Sequence, residues 1–228
     1  FSADVDLTGA GTCAFSGGLI TLSGDSSIGG TGLFAMTGAN VGGAGNLDID
    51  SRFVWTSGSM GGSGITRIGG LASLPQSNAN KFLQRRLEVS GTLDADNNNL
   101  LYVQADGTLH LTSTGRLRST TNDGNIYLQA GASGIARISA DAGAEVDIAA
   151  GRTLNLSSDN NVGNEMSVDV DLTGAGTIAW TRGNVTLTGD SVIGGDGLLV
   201  LRGGDLGGSG NLDIDSRFVW TGGGMSGT

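Results

Sequence analysis

Asn46-Leu47-Asp48-Ile49-Asp50-Ser51-Arg52-Phe53-Val54-Trp55-Thr56 returns unchanged as Asn211-Leu212-Asp213-Ile214-Asp215-Ser216-Arg217-Phe218-Val219-Trp220-Thr221, 165 residues further along the chain. The match spreads outward to residues 1–63 against 166–228, with 40 of 63 positions identical and no insertion in either copy. Unbroken register over that length marks a repeat architecture. Leu47-Asp48-Ile49 alternates apolar and polar, and so do Ile20-Thr21-Leu22, Leu87-Glu88-Val89, Leu109-His110-Leu111, Val146-Asp147-Ile148 and Leu154-Asn155-Leu156. Period two over such short runs predicts strands that bury one face, and no stretch carries a helical stripe.

A shorter period lies inside the long one. Phe15, Met36 and Trp55 fall 19–21 residues apart, as do Trp180, Leu201 and Trp220 in the second copy. Both sets are read as interior ladders. Gly-Gly-x-Gly turns at 29–32, 42–45, 61–64, 194–197 and 207–210 punctuate the strands, where glycine tolerates left-handed backbone angles. The expectation is an all-β chain folded as a single-stranded parallel β-helix (β-solenoid), right-handed, with coils of about 20 residues. One such coil buries too few aliphatics to offset its ordering entropy, so stability must come from stacking. Differences between the copies fit this: Cys13 is replaced by Ile178, Phe15 by Trp180 and Met36 by Leu201, whereas turn positions drift through polar residues and Arg. Residues 1–228 are read as one continuous solenoid of roughly 11 coils, with the same surface returning every repeat after on the order of 40 Å. The copy breaks off at Gly227-Thr228 and the chain opens on Phe1, so the expectation is one period plus the start of the next in a longer repeating protein.

Composition narrows the function classes. The 43 Gly come without a collagen period, and aromatics make up only 5% of the chain, which favours a thin, extended core. A net charge of −10 with one Lys leaves no basic face for nucleic acid. Cys13 is the only cysteine, no run is long enough to span a membrane, and no cofactor-binding pattern is found. The segment 70–86 holds the only Pro, the only Lys and Arg85-Arg86. It is read as a protruding loop, with two readings of equal weight: a positive island of Lys81, Arg85 and Arg86 for acidic partners such as a neighbouring chain, or an exposed loop without a partner.

The phrase Phe53-Val54-Trp55-Thr56-Ser57-Gly58-Ser59-Met60-Gly61-Gly62-Ser63-Gly64, its twin ending Trp220-Thr221-Gly222-Gly223-Gly224-Met225-Ser226-Gly227, and Lys81-Phe82-Leu83-Gln84-Arg85-Arg86-Leu87-Glu88-Val89-Ser90-Gly91-Thr92 resemble the phrases of giant bacterial β-strand-repeat surface proteins. The resemblance implies a solenoid of adhesin or matrix type, extracellular or at the cell surface. The absence of an evident polar cap at either end leads to the expectation of self-association, end to end or lateral, or of continuation in the same long chain, and surface glycans are a second expected class of partner.

Gly42-Gly43-Ala44-Gly45-Asn46-Leu47-Asp48 is similar to a calcium β-roll nonapeptide but carries Leu47 where a ligand Asp is needed. Asp48, Asp50, Asp213 and Asp215 therefore remain only surface cation candidates beside the reading of solvated carboxylates. Paired carboxylates also raise a glycan-cleaving β-helix, but these pairs repeat with the architecture, and an active site usually occurs once. The unrepeated middle offers Asp94, Asp96, Asp106, His110, Arg116, Arg118, Asp123 and Arg137 without a catalytic spacing, and His110 reads as an outward strand residue. The leading expectation is a non-enzymatic stalk, adhesin shaft or filament subunit; the alternative is a glycan-binding or glycan-cleaving β-helix.

Overall fold

A computed structural model describes residues 6–96, 100–104, 106–130, 134–159 and 163–227. Among them every regular element is a strand and every strand pairing is parallel. Thr12–Phe15, Leu19–Leu22 and Ser26–Ile28 form one turn of the chain, and their register partners Leu33–Met36, Asn40–Gly43 and Leu47–Ile49 form the next. The cross-section is thus three-sided. The first face runs through residues 12–15, 33–36, 52–55, 71–73, 92–94, 116–119, 144–148, 169–173, 191–195 and 212–214; the second through 19–22, 40–43, 57–60, 81–83, 101–104, 124–129, 153–158, 177–180, 198–201 and 217–220; the third through 6–7, 26–28, 47–49, 65–68, 86–89, 108–111, 136–140, 164–167, 184–187, 205–208 and 224–225. The result is a β-solenoid of about ten coils.

Alternation sends Ile20 and Leu22, Leu47 and Ile49, Leu87 and Val89 inward, where they join one apolar column along the axis. Phe15, Met36 and Trp55 are successive partners on the first face; Trp180, Leu201 and Trp220 are partners on the second. Trp220 shares the column of Trp180 and Leu201 and is 53% exposed because it lies on the last of the described coils. The corners need glycine where coils touch: Gly62 has φ 86°, and a Cβ there would lie 2.2 Å from the carbonyl oxygen of Gly43.

Coil length is not constant. Partners on the third face are separated by 19–22 residues from Asp6 to His110, by 28–29 from His110 to Ser167, and by 19–21 after that. The widened coils change what the long repeat means. Ser26–Ile28 lies on the third face, but its copy, at 191–193, lies on the first; Leu19–Leu22 on the second face returns as Asn184–Leu187 on the third. The 165-residue period therefore spans seven coils and one further face, about 35 Å along the axis at the strand spacing. The expected return of one surface on one side is corrected: the copy reappears turned by a third of a revolution.

The widened coils enclose more cross-section without larger side chains. An apolar cavity of about 70 Å³ results, lined by Leu117, Ile126, Ile138, Val146, Leu154 and Met166 among others. Filling it should stabilise the chain: Val146→Ile is expected to raise unfolding free energy by about 0.5–1 kcal/mol in urea titrations. A loss of stability would mean that the site is already filled.

Candidate functional site

The outward side chains of the middle coils hold one another. On the third face Arg67 Nη1 donates to Asp48 Oδ1 at 3.1 Å and Arg67 Nε to Glu88 Oε2 at 3.2 Å, so one guanidinium ties three coils. Arg86 Nε adds a bond to Glu88 Oε1 at 2.6 Å, and Arg137 Nε reaches Glu165 Oε2 at 2.6 Å. The first face repeats the scheme, with Arg118 on Asp94 at 2.7 Å and Arg116 on Glu145. Exposed pairs contribute little singly, about 0–1 kcal/mol each, but all of these except Arg86–Glu88, which lies within one strand, bridge successive coils.

The four cation candidates fare differently. Asp48 is committed to Arg67, and Asp50 folds over Gly69, where a Cβ would lie 2.3 Å from its Oδ1. Asp213 and Asp215 are exposed. No group of three or more His, Cys, Asp or Glu suited to a metal ion occurs among the described residues.

Register brings together a set that sequence spacing does not reveal. His110 and Ser139 are partners on adjacent coils, 29 residues apart because that coil is widened, with His110 Nδ1 2.9 Å from Ser139 Oγ. Asp141 Oδ2 lies 3.5 Å from His110 Nε2. Hydroxyl, imidazole and carboxylate in that order are the groups of a nucleophilic triad, but acyl transfer also needs amide donors for the oxyanion. Here the strand is paired on both sides, to the His110 and Met166 strands, and the Asp141 N–H donates to the Leu111 carbonyl at 3.0 Å. The trio lies on a flat, laddered sheet and serves as another cross-coil tie.

Asp94 and Asp96 border an open cleft with Arg52, Ser73, Pro75 and Thr121. Both carboxylates are occupied: Asp94 by Arg118, Asp96 by the backbone N–H groups of Thr120 (2.7 Å), Thr121 (3.0 Å) and Asn122 (3.3 Å). Burial pushes the Asp96 carboxyl up, but the Thr121, Thr120 and Asn122 donors outweigh it and hold it below the usual carboxylate range. Such a group stays ionised at neutral pH and is suited to fixing a corner, not to giving a proton.

The positive island is corrected. Residues 71–73 and 81–83 are strands in the ladders, so the excursion from the coil is confined to residues 74–80. Lys81 and Arg85 are buried, at 0% and 1% exposure, and only Arg86 reaches the surface, where Glu88 holds it. Lys81 follows from alternation: Phe82 points out, so Lys81 and Leu83 point in. Its Nζ turns to the Pro75 carbonyl at 3.4 Å and Ser77 Oγ at 3.3 Å. Arg85 takes the place of the corner glycines of earlier coils, donating through Nε to the Gly64 carbonyl and through Nη2 to that of Gly45, both at 2.7 Å. Neither cation has a carboxylate partner among these bonds. Burial pushes the Lys81 pKa down to about 8 and that of Arg85 down to about 10.

No protein-family model, curated protein or solved structure matches this chain.

The buried lysine makes stability depend on pH. Between pH about 8 and 10.5 the unfolded chain still binds the Lys81 proton and the folded chain does not, so stability rises with pH across that window. The gain is absent below pH about 8 and complete above 10.5. Lys81→Met should remove this slope and be more stable at pH 7 by on the order of 2 kcal/mol, read from urea midpoints at several pH values. Arg85→Ala is expected to cost about 2–4 kcal/mol, because it strips donors from buried glycine carbonyls. An unchanged midpoint would show those carbonyls reaching water.

Proposed function

We propose that the chain is a shaft: a structural segment of a secreted or surface-anchored bacterial repeat protein, serving as stalk, adhesin shaft or fibre subunit. The observation that carries this reading is the coil-to-coil commitment of the polar exterior. Arg67 joins Asp48 to Glu88, Arg118 meets Asp94, Arg137 meets Glu165, and Gln84, Gln104 and Gln129 bond in series at 3.0 and 2.7 Å. Side chains spent in this way stiffen a rod along its axis and leave few polar groups poised for chemistry. Backbone hydrogen bonds run in the same direction on all three faces. Location outside the cell rests on the repeat phrases around Trp55, Trp220 and Lys81 and belongs to the same proposal.

The alternative reading, a glycan-binding or glycan-cleaving β-helix, has one observation in its favour: the cleft between the corner at residues 74–76 and that at 121–122, bordered by Asp94 and Asp96. The commitment of both carboxylates to protein donors counts against a cleaving role.

Two measurements separate the readings. Electron microscopy of the native material is expected to reveal rods at the cell surface with an axial rise of about 4.8 Å per coil. Oligosaccharide turnover abolished by Asp94→Asn, with no rods in the native material, would replace the shaft by the glycan reading.

A further inference from the structure

Charge is unevenly distributed over the three sides. The outward strand positions of the second face, read along the axis, are Leu19, Asn40, Ser59, Phe82, Tyr102 and Tyr127 in one column and Thr21, Gly42, Gly61, Gln84, Gln104 and Gln129 in the column beside it. None of these twelve positions, on the first six coils, carries a charge, on a chain of net charge −10 whose other two faces bear the Asp, Glu and Arg ladders; Arg182 borders the strip beside Tyr127, and Arg217 lies on the last coil of the same face. Leu19 on this face is 61% exposed. The relief is also uneven. The coils of Leu19, Asn40 and Ser59 form a low shelf floored by Gly42 and Gly61, whereas Phe82, Tyr102 and Tyr127 raise an aromatic ridge.

The ridge is not a sugar platform. Phe82 and Tyr102 stack at 5.4 Å and 26°, Tyr102 and Tyr127 meet edge to face at 5.3 Å, and Arg182 lies 5.1 Å over the Tyr127 ring. The ring faces that would receive a sugar are already used.

We infer that the second face is a docking surface for a second copy of this chain, packed face to face and antiparallel about a two-fold axis at Phe82. Three observations converge on this occupant. Two rods of net charge −10 repel each other overall, and the second face between Leu19 and Tyr127 is where contact brings no like charges of the strands against one another. Shelf and ridge are complementary when one copy is inverted: Phe82 meets the partner's Phe82, Ser59 lies opposite the partner's Tyr102, and Asn40 opposite the partner's Tyr127. A small side chain faces a large one at each step away from the axis, as interdigitated sheet packing requires. The same patch serves both partners, which is the condition for a closed dimer. The five rows from Asn40 to Tyr127 that this two-fold superposes measure about 24 by 13 Å from strand spacing and residue rise, or about 300 Å² on each rod. That is below the size of a stable specific interface and fits only a weak dimer, with Kd on the order of 100 µM, that gains by avidity along a longer rod. This names the lateral partner of the proposed shaft, and a strictly monomeric rod would sink it while leaving the shaft reading intact.

Sedimentation equilibrium of the full chain tests the inference. Concentration-dependent dimerisation is expected, strengthening as salt rises from about 0.05 to 0.5 M because screening relieves repulsion between like-charged rods. Tyr102→Glu should weaken it at least tenfold, whereas Thr92→Glu, which adds the same charge on the first face, should change it less than twofold. Adding Ser59→Arg to Tyr102→Glu should restore affinity to within threefold, since the two-fold brings these positions together across the interface. Circular dichroism and urea midpoints report whether each variant is folded. A monomer at all salts up to about 1 mM chain overturns the proposal, as does a dimer equally sensitive to Thr92→Glu or a Tyr102→Glu defect that Ser59→Arg does not repair. Oligosaccharide binding by the monomer that Tyr102→Glu abolishes would assign the face to a glycan instead.

Discussion

Parallel pairing of each coil with the next, in register, is the constraint on which the rest of this molecule depends. A strand in this solenoid has another copy of its backbone about 4.8 Å above and below it, so each side chain stands in a column of its register partners. Whatever occupies a column must tolerate that spacing. Aliphatics and aromatics do, and Phe34 stacks on Phe53 at 5.0 Å in the interior. Like charges do not, and on the third face Asp48, Arg67 and Glu88 alternate in sign over three successive coils. Amides do, by donating in one direction and accepting in the other, which is what Gln84, Gln104 and Gln129 accomplish.

The same constraint explains the buried cations. In the coils before residue 70 the corner into the third face is made by Gly43 and Gly45, then by Gly62 and Gly64, whose carbonyls accumulate along the axis. Arg85 folds back over two of them, Gly64 and Gly45, and satisfies the stack that precedes it. Lys81 performs a smaller version of that task for the excursion at Pro75 and Ser77. Both are positive charges held by carbonyl and hydroxyl oxygen, an arrangement that specifies one corner geometry at a cost in desolvation.

Variable coil length supplies what stacking alone would not. Coils of constant length would bring each long repeat back on its own side. The extra residues between His110 and Ser167 instead carry the second copy onto the adjacent face, so the strip Leu47–Ile49 and its twin at 212–214 look out in different directions. They also open the apolar cavity and bring His110 against Ser139.

The sequence by itself determined the architecture. Alternation in Leu47-Asp48-Ile49 and its counterparts, glycine at the corners and the absence of a helical stripe leave only strands that must stack. It determined the apolar columns through Phe15, Met36 and Trp55 as well, because those coils are nearly equal in length. What only the tertiary structure decided is which residues of different coils share a face. Register partners are set by the number of residues spent at corners, and corners made of Gly, Ser, Thr and Asn carry no periodicity from which that number can be counted. Hence Lys81 and Arg85 read as a basic surface loop and are interior; His110 reads as an outward strand residue without a catalytic spacing and has Ser139 and Asp141 beside it; and the uncharged strip of the second face, assembled from six separate stretches of chain, has no linear signature at all. A side chain's direction along a strand is a local property of the pleat, but its neighbour across the sheet is a sum over every corner between them.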